Sequence, residues 1–196
     1  CSYMVDAVRA AMGDGAAWGV RLSYVVEAEP LGTAGGVRNA VEQVGDLVLV
    51  LNGDILTDAD LGAMLAIHAE RRAVASIYLT RVPRPTAFGL VELGGRGAVQ
   101  RFIEKPDPSQ ITTDTVNAGV YLLARELLER IPTGRAVSIE REFFPGLLAD
   151  RIPFHGHEGE GAVMAKGILQ RFKLPNELIE QVCALVADHL RFNQIK

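Results

Sequence analysis

The chain has 196 residues, of which 48% are hydrophobic and 22% charged, and its formal net charge is -4. This length and composition fit one folded domain, or one domain with a small addition, and exclude a disordered chain. The acidic balance gives no general attraction to nucleic acid. Two cysteines are too few for a disulfide framework, and no apolar run approaches the roughly 18 residues of a membrane span. We therefore expect a soluble, cytoplasmic protein.

The first predicted elements are a helix, a strand and a second helix. Residues 3–13 have the apolar spacing of a helix that ends at Gly13, and residues 20–29 alternate like a strand. Residues 33–44 indicate a helix that begins at Thr33, a good N-cap residue. Because the chain starts at Cys1 in sequence typical of the middle of a domain, we interpret it as a fragment.

The next elements predict a doubly wound sheet. Residues 47–54, LVLVLNGD, are branched and do not alternate, which favours a parallel strand buried on both faces. Residues 57–72 form an amphipathic pattern with Thr57 or Asp58 at the helix N-cap, and residues 73–82 predict another buried strand. This alternation of strands and helices is typical of an α/β fold with crossover connections.

From Phe88 onward the pattern changes to antiparallel pairing. FGLVEL and AVQRFIE flank GGRG and predict a hairpin, and TVNAGVYLL predicts one more strand. Helices are predicted at 124–131 and 138–148. The predicted fold class is therefore α/β, a doubly wound, Rossmann-like mixed sheet.

Asp54 is the first candidate for a functional residue. In open α/β sheets, ligands bind beyond the carboxyl ends of the strands, and Asp54 lies just after the most apolar strand. A carboxylate in that place is suited to holding Mg²⁺ against phosphate oxygens. The alternative is that Asp54 caps the next helix or forms a turn with Gly53.

Three further features have both a functional and a structural interpretation. EPLGTAGG, residues 29–36, surrounds a helix start with small residues that favour an anion or a closely approaching ligand, but glycine-rich turns are common. In FIEKP, Glu104 and Lys105 are suited to a sugar hydroxyl and a phosphate, or they form a solvated pair. Asn117 is an amide within an apolar strand, either satisfied by the backbone or facing a ligand.

Taken together, six motifs in chain order resemble the sugar-phosphate nucleotidyltransferases, mannose-1-phosphate guanylyltransferases above all: EPLGTAGGVRNA, VLVLNGDIL, FGLVEL, FIEKP, NAGVYLL and SIEREFFPGLL. The resemblance covers residues 1–149 and implies the nucleotide-diphospho-sugar transferase type of fold. It implies that Asp54 binds the catalytic Mg²⁺. It also implies a nucleobase pocket lined by Glu27, Pro30, Gly32 and Thr33, sugar contacts from Gly89, Glu104 and Asn117, and a contact between Lys105 and the sugar phosphate.

The implied reaction condenses a sugar 1-phosphate with a nucleoside triphosphate to give a nucleotide sugar and pyrophosphate. The family includes enzymes for mannose 1-phosphate and glucose 1-phosphate, so GTP, dTTP and UTP all remain open. The family's glycine-rich phosphate loop, a lysine shortly after it and a second metal-binding aspartate have no match in this sequence. We therefore expect the chain as given to be inactive or very weak, with incomplete sheet edges that favour association of copies.

Residues 150–196 predict a separate helical segment. They resemble part of the HD-type phosphohydrolase module attached to bacterial tRNA nucleotidyltransferases, in which His157 and His189, each on or beside a helix, would be metal ligands. That module needs an adjacent His-Asp pair, and none of the four histidines is followed by aspartate. Two alternatives to the transferase remain: a fragment of such a hydrolase, and a non-catalytic domain that binds nucleotide sugars.

Overall fold

The computed structural model describes residues 4–83, 85–152 and 154–159. The helices are α1 Val5–Met12, α2 Gly32–Asn39, α3 Leu61–Glu70, α4 Arg125–Glu129 and α5 Phe144–Ala149. The strands are β1 Leu47–Leu51, β2 Ala75–Arg81, β3 Gly89–Leu93, β4 Val99–Glu104, β5 Thr115–Ala124 and β6 Phe154–Gly159. A π-helical turn, Ile139–Phe143, leads directly into α5. None of the described helices is long and apolar enough to cross a membrane.

The strands form one mixed sheet in the order β4-β3-β5-β2-β6, with β1 also paired to β5. The central strand β5 is antiparallel to β1, β2 and β3, whereas β2 and β6 are parallel. Because β1 and β2 both run opposite to β5, they run in the same direction. Helix α3 lies in the connection between them, which crosses β5. The predicted α/β class and mixed sheet are confirmed.

Several predicted elements are confirmed at their expected places. Helix α1 ends at Gly13, whose positive φ of 58° is one that glycine adopts without strain. Strand β2 is buried along most of its length, and β3 and β4 form the predicted hairpin. The long strand β5 and the helical segments 125–129 and 139–149 also follow the sequence pattern.

Other predictions are wrong in ways that have a physical reason. Residues 20–29 are not a strand, because no strand pairs with them in the part of the chain that the structure describes. Helix α2 begins at Gly32, and Thr33 does not cap it, because its hydroxyl accepts a hydrogen bond from the backbone N–H of Ile139 instead. Asp60 caps α3 in place of Thr57 or Asp58, since its carboxylate accepts from the N–H of Ala63 at 2.8 Å.

Strand β1 also differs from its prediction of a parallel strand buried on both faces. It pairs antiparallel with β5, and only Val48 and Val50 pack against the core. The opposite face is partly open, since Leu47, Leu49 and Leu51 expose 42%, 39% and 45% of their surface. The run of apolar residues correctly predicted the strand, but composition alone does not encode the direction of its neighbour.

The principal core lies between the sheet and the helices α2, α4 and α5. Its centre is an aromatic group in which Phe144 lies 5.1 Å from Tyr121 and 4.8 Å from Phe154, measured between ring centroids. A smaller core on the other side of the sheet contains Met64 and Tyr78. This packing fixes the ends of β1, β4 and β5, where the candidate site residues lie.

Strand β6 continues the same sheet beyond the predicted domain boundary. Its residues pair in parallel register with Ala75–Thr80 of β2, and Phe154 is buried in the principal core. His157 therefore lies in a strand, opposite Tyr78, and not at the predicted start of a helix. His189 and the predicted helices after residue 160 lie outside the described residues, so the division near residue 150 stays a prediction.

Candidate functional site

Asp54 lies in the turn that follows β1. The strand ends at Leu51, and the N–H of Asn52 donates to the carbonyl of Gly119 at 2.9 Å, which holds the turn against β5. The pairing of β2 with β5 shifts register between Ile77 and Leu79, so β5 bulges near Gly119. Strand β1 thus carries an exposed carboxylate to the bulged part of the central strand.

Gly119 is the residue that permits this close approach. Its φ is +74°, and a Cβ at this position would lie 3.0 Å from Nδ2 of Asn52. Only glycine adopts such a backbone without strain while leaving room for the neighbouring side chain. The bulge therefore brings the turn that carries Asp54 next to Asn117, two residues before Gly119.

The side chain of Asn117 is held by three hydrogen bonds. Its Nδ2 donates to the hydroxyl of Tyr121 at 2.8 Å and to Oε1 of Glu140 at 2.5 Å. Its Oδ1 accepts from the N–H of Gly119 at 2.9 Å. Since a carboxylate only accepts and a backbone N–H only donates, these partners fix which way the amide points. The amide oxygen has a second lone pair with which to accept from a ligand.

Three carboxylates converge beside Asn117. Burial raises the pKa of Glu140, and the negative charges of Glu104 and then Asp54 raise it further. Asn117 and Arg141 act in the opposite direction, and the guanidinium of Arg141 lies 3.9 Å from the carboxylate of Glu104. The site therefore carries more negative charge than its own cations balance, a condition that favours a bound cation.

Gly89 and Glu104 are paired residues of the β3–β4 hairpin. A Cβ on Gly89 would lie 3.0 Å from the ring of Phe102 and 3.1 Å from Oε2 of Glu104. The missing side chain thus leaves the carboxylate of Glu104 room at the end of the hairpin. Lys105 follows directly in an exposed position with a positive φ of 49°, where the chain turns away from β4.

The residues predicted to line a nucleobase pocket form a second group. The carboxylate of Glu27 accepts from the N–H of Leu31 at 3.0 Å. Partial burial acts to raise the pKa of Glu27, whereas the hydrogen bond from the N–H of Leu31 acts to lower it by favouring the charged form. The group thus holds its negative charge beside the start of α2, and Pro30 is exposed next to it.

Gly32 and Thr33 connect this second group to the first. A Cβ on Gly32 would lie only 2.6 Å from the carbonyl oxygen of Val137, which also accepts from the N–H groups of Ala34 and Gly35. The hydroxyl of Thr33 accepts from Ile139 at 2.9 Å. Segment 137–139 is therefore fixed against the glycine-rich turn, and it leads directly to Glu140 of the first group.

The structure thus brings together Asp54, Gly89, Glu104 and Asn117, with Lys105 adjoining Glu104 in the chain. It does not connect His157 with them, since that residue lies in β6 at the far edge of the sheet. Among the described residues, no group of three or more His, Cys, Asp or Glu side chains is arranged to hold a metal ion alone. A metal at Asp54 would need oxygen atoms from a ligand or water to complete its coordination.

Sequence reasoning missed three members of this site: Asn52, Tyr121 and Glu140. Glu140 was part of the motif SIEREFFP, but no role was assigned to it. A signal was present in the sequence, because Glu140 lies between Ile139 and the two phenylalanines Phe143 and Phe144. These three apolar residues are all buried. A charged residue within such a stretch needs a partner when it is buried, which indicates a polar network.

The charge of Glu140 leads to a prediction about stability and pH. Its raised pKa means that the folded chain binds this proton more tightly than the unfolded chain does, so ionised Glu140 destabilises the fold. Above the raised pKa, Glu140→Gln should therefore melt at a higher temperature than the parent chain. The difference should shrink below about pH 4, where the carboxyl is protonated in both states.

Glu142→Gln is the matched control, and all three proteins are measured by thermal unfolding between about pH 3 and pH 8. The hydrogen bond from Arg135 lowers the pKa of Glu142, so its charge favours the folded state at neutral pH. Removing that charge should lower the melting temperature near neutral pH, which is the opposite of the change expected for Glu140→Gln. A drop in melting temperature for Glu140→Gln at pH 8 would show that ionised Glu140 stabilises the chain.

Comparisons with known proteins show which family and which folds this chain is similar to. The family model described as Nucleotidyl transferase matches residues 2–158. Mannose-1-phosphate guanylyltransferase of Mycobacterium tuberculosis is 44% identical over 150 residues, 76% of this chain and 41% of the relative. UTP--glucose-1-phosphate uridylyltransferase of Synechocystis is 29% identical over 168 residues, 79% of this chain and 43% of the relative. The chain thus spans about two fifths of the length of these relatives.

Solved structures show the same fold. HddC from Yersinia pseudotuberculosis matches with a TM-score of 0.69 at 22% identity, over 82% of this chain and 68% of that one. A putative glucose-1-phosphate thymidylyltransferase from Bacillus anthracis matches with a TM-score of 0.68 at 22% identity, over 80% of this chain and 64% of that one. At this identity, the likeness establishes the fold.

Proposed function

Because the chain belongs to the nucleotidyl transferase family, we propose that it serves the synthesis of nucleotide sugars from a sugar 1-phosphate and a nucleoside triphosphate. The observation that carries this proposal is the convergence of Asp54, Glu104 and Asn117 around the bulge of β5. These groups come from three different strands or their ends, and they offer a metal ligand and polar contacts for a sugar in one place. The family match reaches residue 158 and so includes His157, which favours the transferase over the hydrolase alternative.

In the proposed reaction, an oxygen of the sugar 1-phosphate attacks the α-phosphorus of the nucleoside triphosphate. The new P–O bond forms as the bond between the α-phosphorus and the bridging oxygen breaks, and pyrophosphate leaves with that oxygen. The phosphate oxygen of the sugar is already ionised at neutral pH, so the step needs no general base. Catalysis then depends on alignment of the two phosphates and on neutralisation of their charge.

Mg²⁺ is the cofactor that this reaction would use, and the residues present fit it. Asp54 offers a hard oxygen ligand, and the charges of Glu104 and Glu140 add a negative potential that a divalent cation would relieve. When bound, the ion would neutralise phosphate charge. Asp54 would hold it, and Glu104 and Asn117 would contact sugar hydroxyls.

The remaining proposed contacts follow the two groups of residues. Lys105, exposed beside Glu104, would meet the sugar phosphate, and the backbone at Gly89 leaves room for the sugar itself. The nucleobase would lie against the start of α2, where the proposed contacts are Glu27, Pro30, Gly32 and Thr33. The ionised carboxylate of Glu27 is suited to accept hydrogen bonds from the N–H groups of guanine, a base with a donor pair on one edge.

We propose mannose 1-phosphate and GTP as the substrates. The mycobacterial relative, at 44% identity, carries the name of that activity, whereas the uridylyltransferase is 29% identical. Glucose 1-phosphate with UTP or dTTP is the alternative pair. A cytoplasmic location and association between copies of the chain are further parts of the proposal, the first supported by the low cysteine content.

Thermal unfolding with Mg²⁺ and GDP-mannose, UDP-glucose or dTDP-glucose tests the proposal. A ligand that binds only the folded chain, present at about a hundred times its Kd, adds about 2.7 kcal/mol to the unfolding free energy. We expect that shift with GDP-mannose, and a smaller one with the other two. If the chain unfolds cooperatively but none of the three ligands raises its melting temperature, the proposed function is refuted.

A further inference from the structure

Tyr121 is a fully buried tyrosine in the middle of β5, next to the candidate site. It pairs with Val50 of β1, and its ring packs edge-on against Phe144. Its hydroxyl accepts from Nδ2 of Asn117 at 2.8 Å, and the side chain of Asn52 is a second polar neighbour of that hydroxyl. One buried hydroxyl thus lies next to both the asparagine two residues before Asp54 and the asparagine proposed to bind the sugar.

Hydrogen bonds join Tyr121 to Asn117 and Asn117 to Glu140 in one chain, and Asn52 lies beside the same tyrosine hydroxyl. These residues come from the end of β1, from β5 and from the π-helical turn, and the ring of Tyr121 is anchored in the principal core. A buried polar chain of this kind defines one arrangement, since any rotation of a member leaves a buried donor or acceptor without a partner. The orientation of Asn117 therefore depends on both Tyr121 and Glu140.

We propose that Tyr121 is a positioning residue, whose hydroxyl holds the amide of Asn117 with its oxygen directed for a sugar hydroxyl. The inference rests on the proposed function, because it assigns Asn117 to the sugar. The ring supplies packing, and the hydroxyl supplies the orientation. Burial raises the pKa of Tyr121, so the hydroxyl keeps its proton at neutral pH.

Removing only the hydroxyl separates these two contributions. In Tyr121→Phe, the ring and its contact with Phe144 remain, but Asn117 loses one of the two acceptors for its N–H groups. We expect binding of GDP-mannose with Mg²⁺ to weaken about tenfold, the effect of one hydrogen bond. Binding of GDP with Mg²⁺ should stay within about twofold of the parent chain, because GDP lacks the sugar that Asn117 would contact.

The matched control is Tyr78→Phe, which also removes a buried tyrosine hydroxyl. Tyr78 lies on β2 in the smaller core, where Asp58 and Asp60 are its charged neighbours. Calorimetric titration of the three proteins with both ligands should show selective loss of GDP-mannose affinity for Tyr121→Phe alone. If Tyr121→Phe does not fold, Asn52→Ala removes the other polar neighbour of the hydroxyl and should show the same selectivity.

If Tyr121→Phe binds GDP and GDP-mannose with equally reduced affinity, the hydroxyl only supports the fold. If both affinities are unchanged in Tyr121→Phe, the hydroxyl does not orient Asn117. Either result would overturn the inference. NMR of the Asn117 side-chain amide needs no ligand. Its two proton resonances should be well separated in the parent chain and draw together in Tyr121→Phe. Unchanged resonances would also overturn the inference, whereas a parent chain that binds no nucleotide sugar would overturn the proposed function alone.

Discussion

Replacing Asp54 with asparagine should remove the Mg²⁺-dependent binding of nucleotide sugars while the chain stays folded. Asparagine has nearly the same shape, and Asp54 is exposed in a turn, so the substitution changes little except the charge. A neutral amide is a far weaker ligand for Mg²⁺ than a carboxylate, because hard cations prefer charged oxygen. Removing one partner from a close charge pair typically lowers binding affinity by about two to three orders of magnitude. We therefore expect the affinity for GDP-mannose to fall about a hundredfold.

The measurement is a titration of both proteins with GDP-mannose, once with Mg²⁺ and once with a chelator. The parent chain should bind about a hundredfold more tightly with the metal than without it, and Asp54→Asn should bind equally weakly in both conditions. Asp60→Asn is the matched control. Asp60 lies six residues later and caps α3 through the N–H of Ala63, a role that asparagine fills as well.

Two results would contradict this view of Asp54. If Asp60→Asn loses affinity as Asp54→Asn does, then the general negative potential of the turn is responsible, and not a specific ligand. If Asp54→Asn keeps the full metal dependence, then the carboxylates of Glu104 and Glu140 are the better candidates for holding the cation. Burial and, after it, the charge of Glu104 already raise the pKa of Glu140.

The sequence alone was sufficient to place Asp54 and Glu104 at the ends of strands, while their functional roles stay predictions. Asp54 was predicted from its place after an apolar run, and Glu104 from its place at the end of a hairpin strand. The structure brings both beside Asn117, as the rule for α/β sheets would suggest. What remained out of reach was the chain of hydrogen bonds, because its partners are far apart in sequence. Asn117 and Glu140, for example, are separated by 23 residues.

The wrong predictions share a dependence on tertiary partners. Thr33 is a good N-cap residue by type, but the backbone of Ile139 donates to its hydroxyl, so the local preference is overridden. Residues 20–29 alternate like a strand, but a strand also needs a neighbouring strand to pair with. Alternation in the sequence indicates only which side chains would face opposite sides of a sheet. The register shift at Gly119, which orients Asn117, likewise follows from strand pairing.

Phe144→Ala should be the most destabilising single substitution that we consider, because Phe144 joins the site to the core. Its ring is fully buried and lies within 5.8 Å of four other aromatic rings, measured between centroids: Phe102, Tyr121, Phe143 and Phe154. Truncating a buried phenylalanine to alanine removes its apolar burial and leaves a cavity, at a loss of about 4 kcal/mol. Domains are stable by only about 5–15 kcal/mol, so much of the total would be lost.

Urea unfolding measures this loss directly, with Leu65→Ala as control. Leu65 lies on α3 with 44% of its surface exposed, so its truncation should change the unfolding free energy by less than about 0.5 kcal/mol. Phe144→Leu should fall between the two, since leucine fills part of the cavity. A loss below about 1.5 kcal/mol for Phe144→Ala would mean that the aromatic group repacks around the gap. In that case Tyr121 would also move, and the orientation of Asn117 would no longer depend on the core.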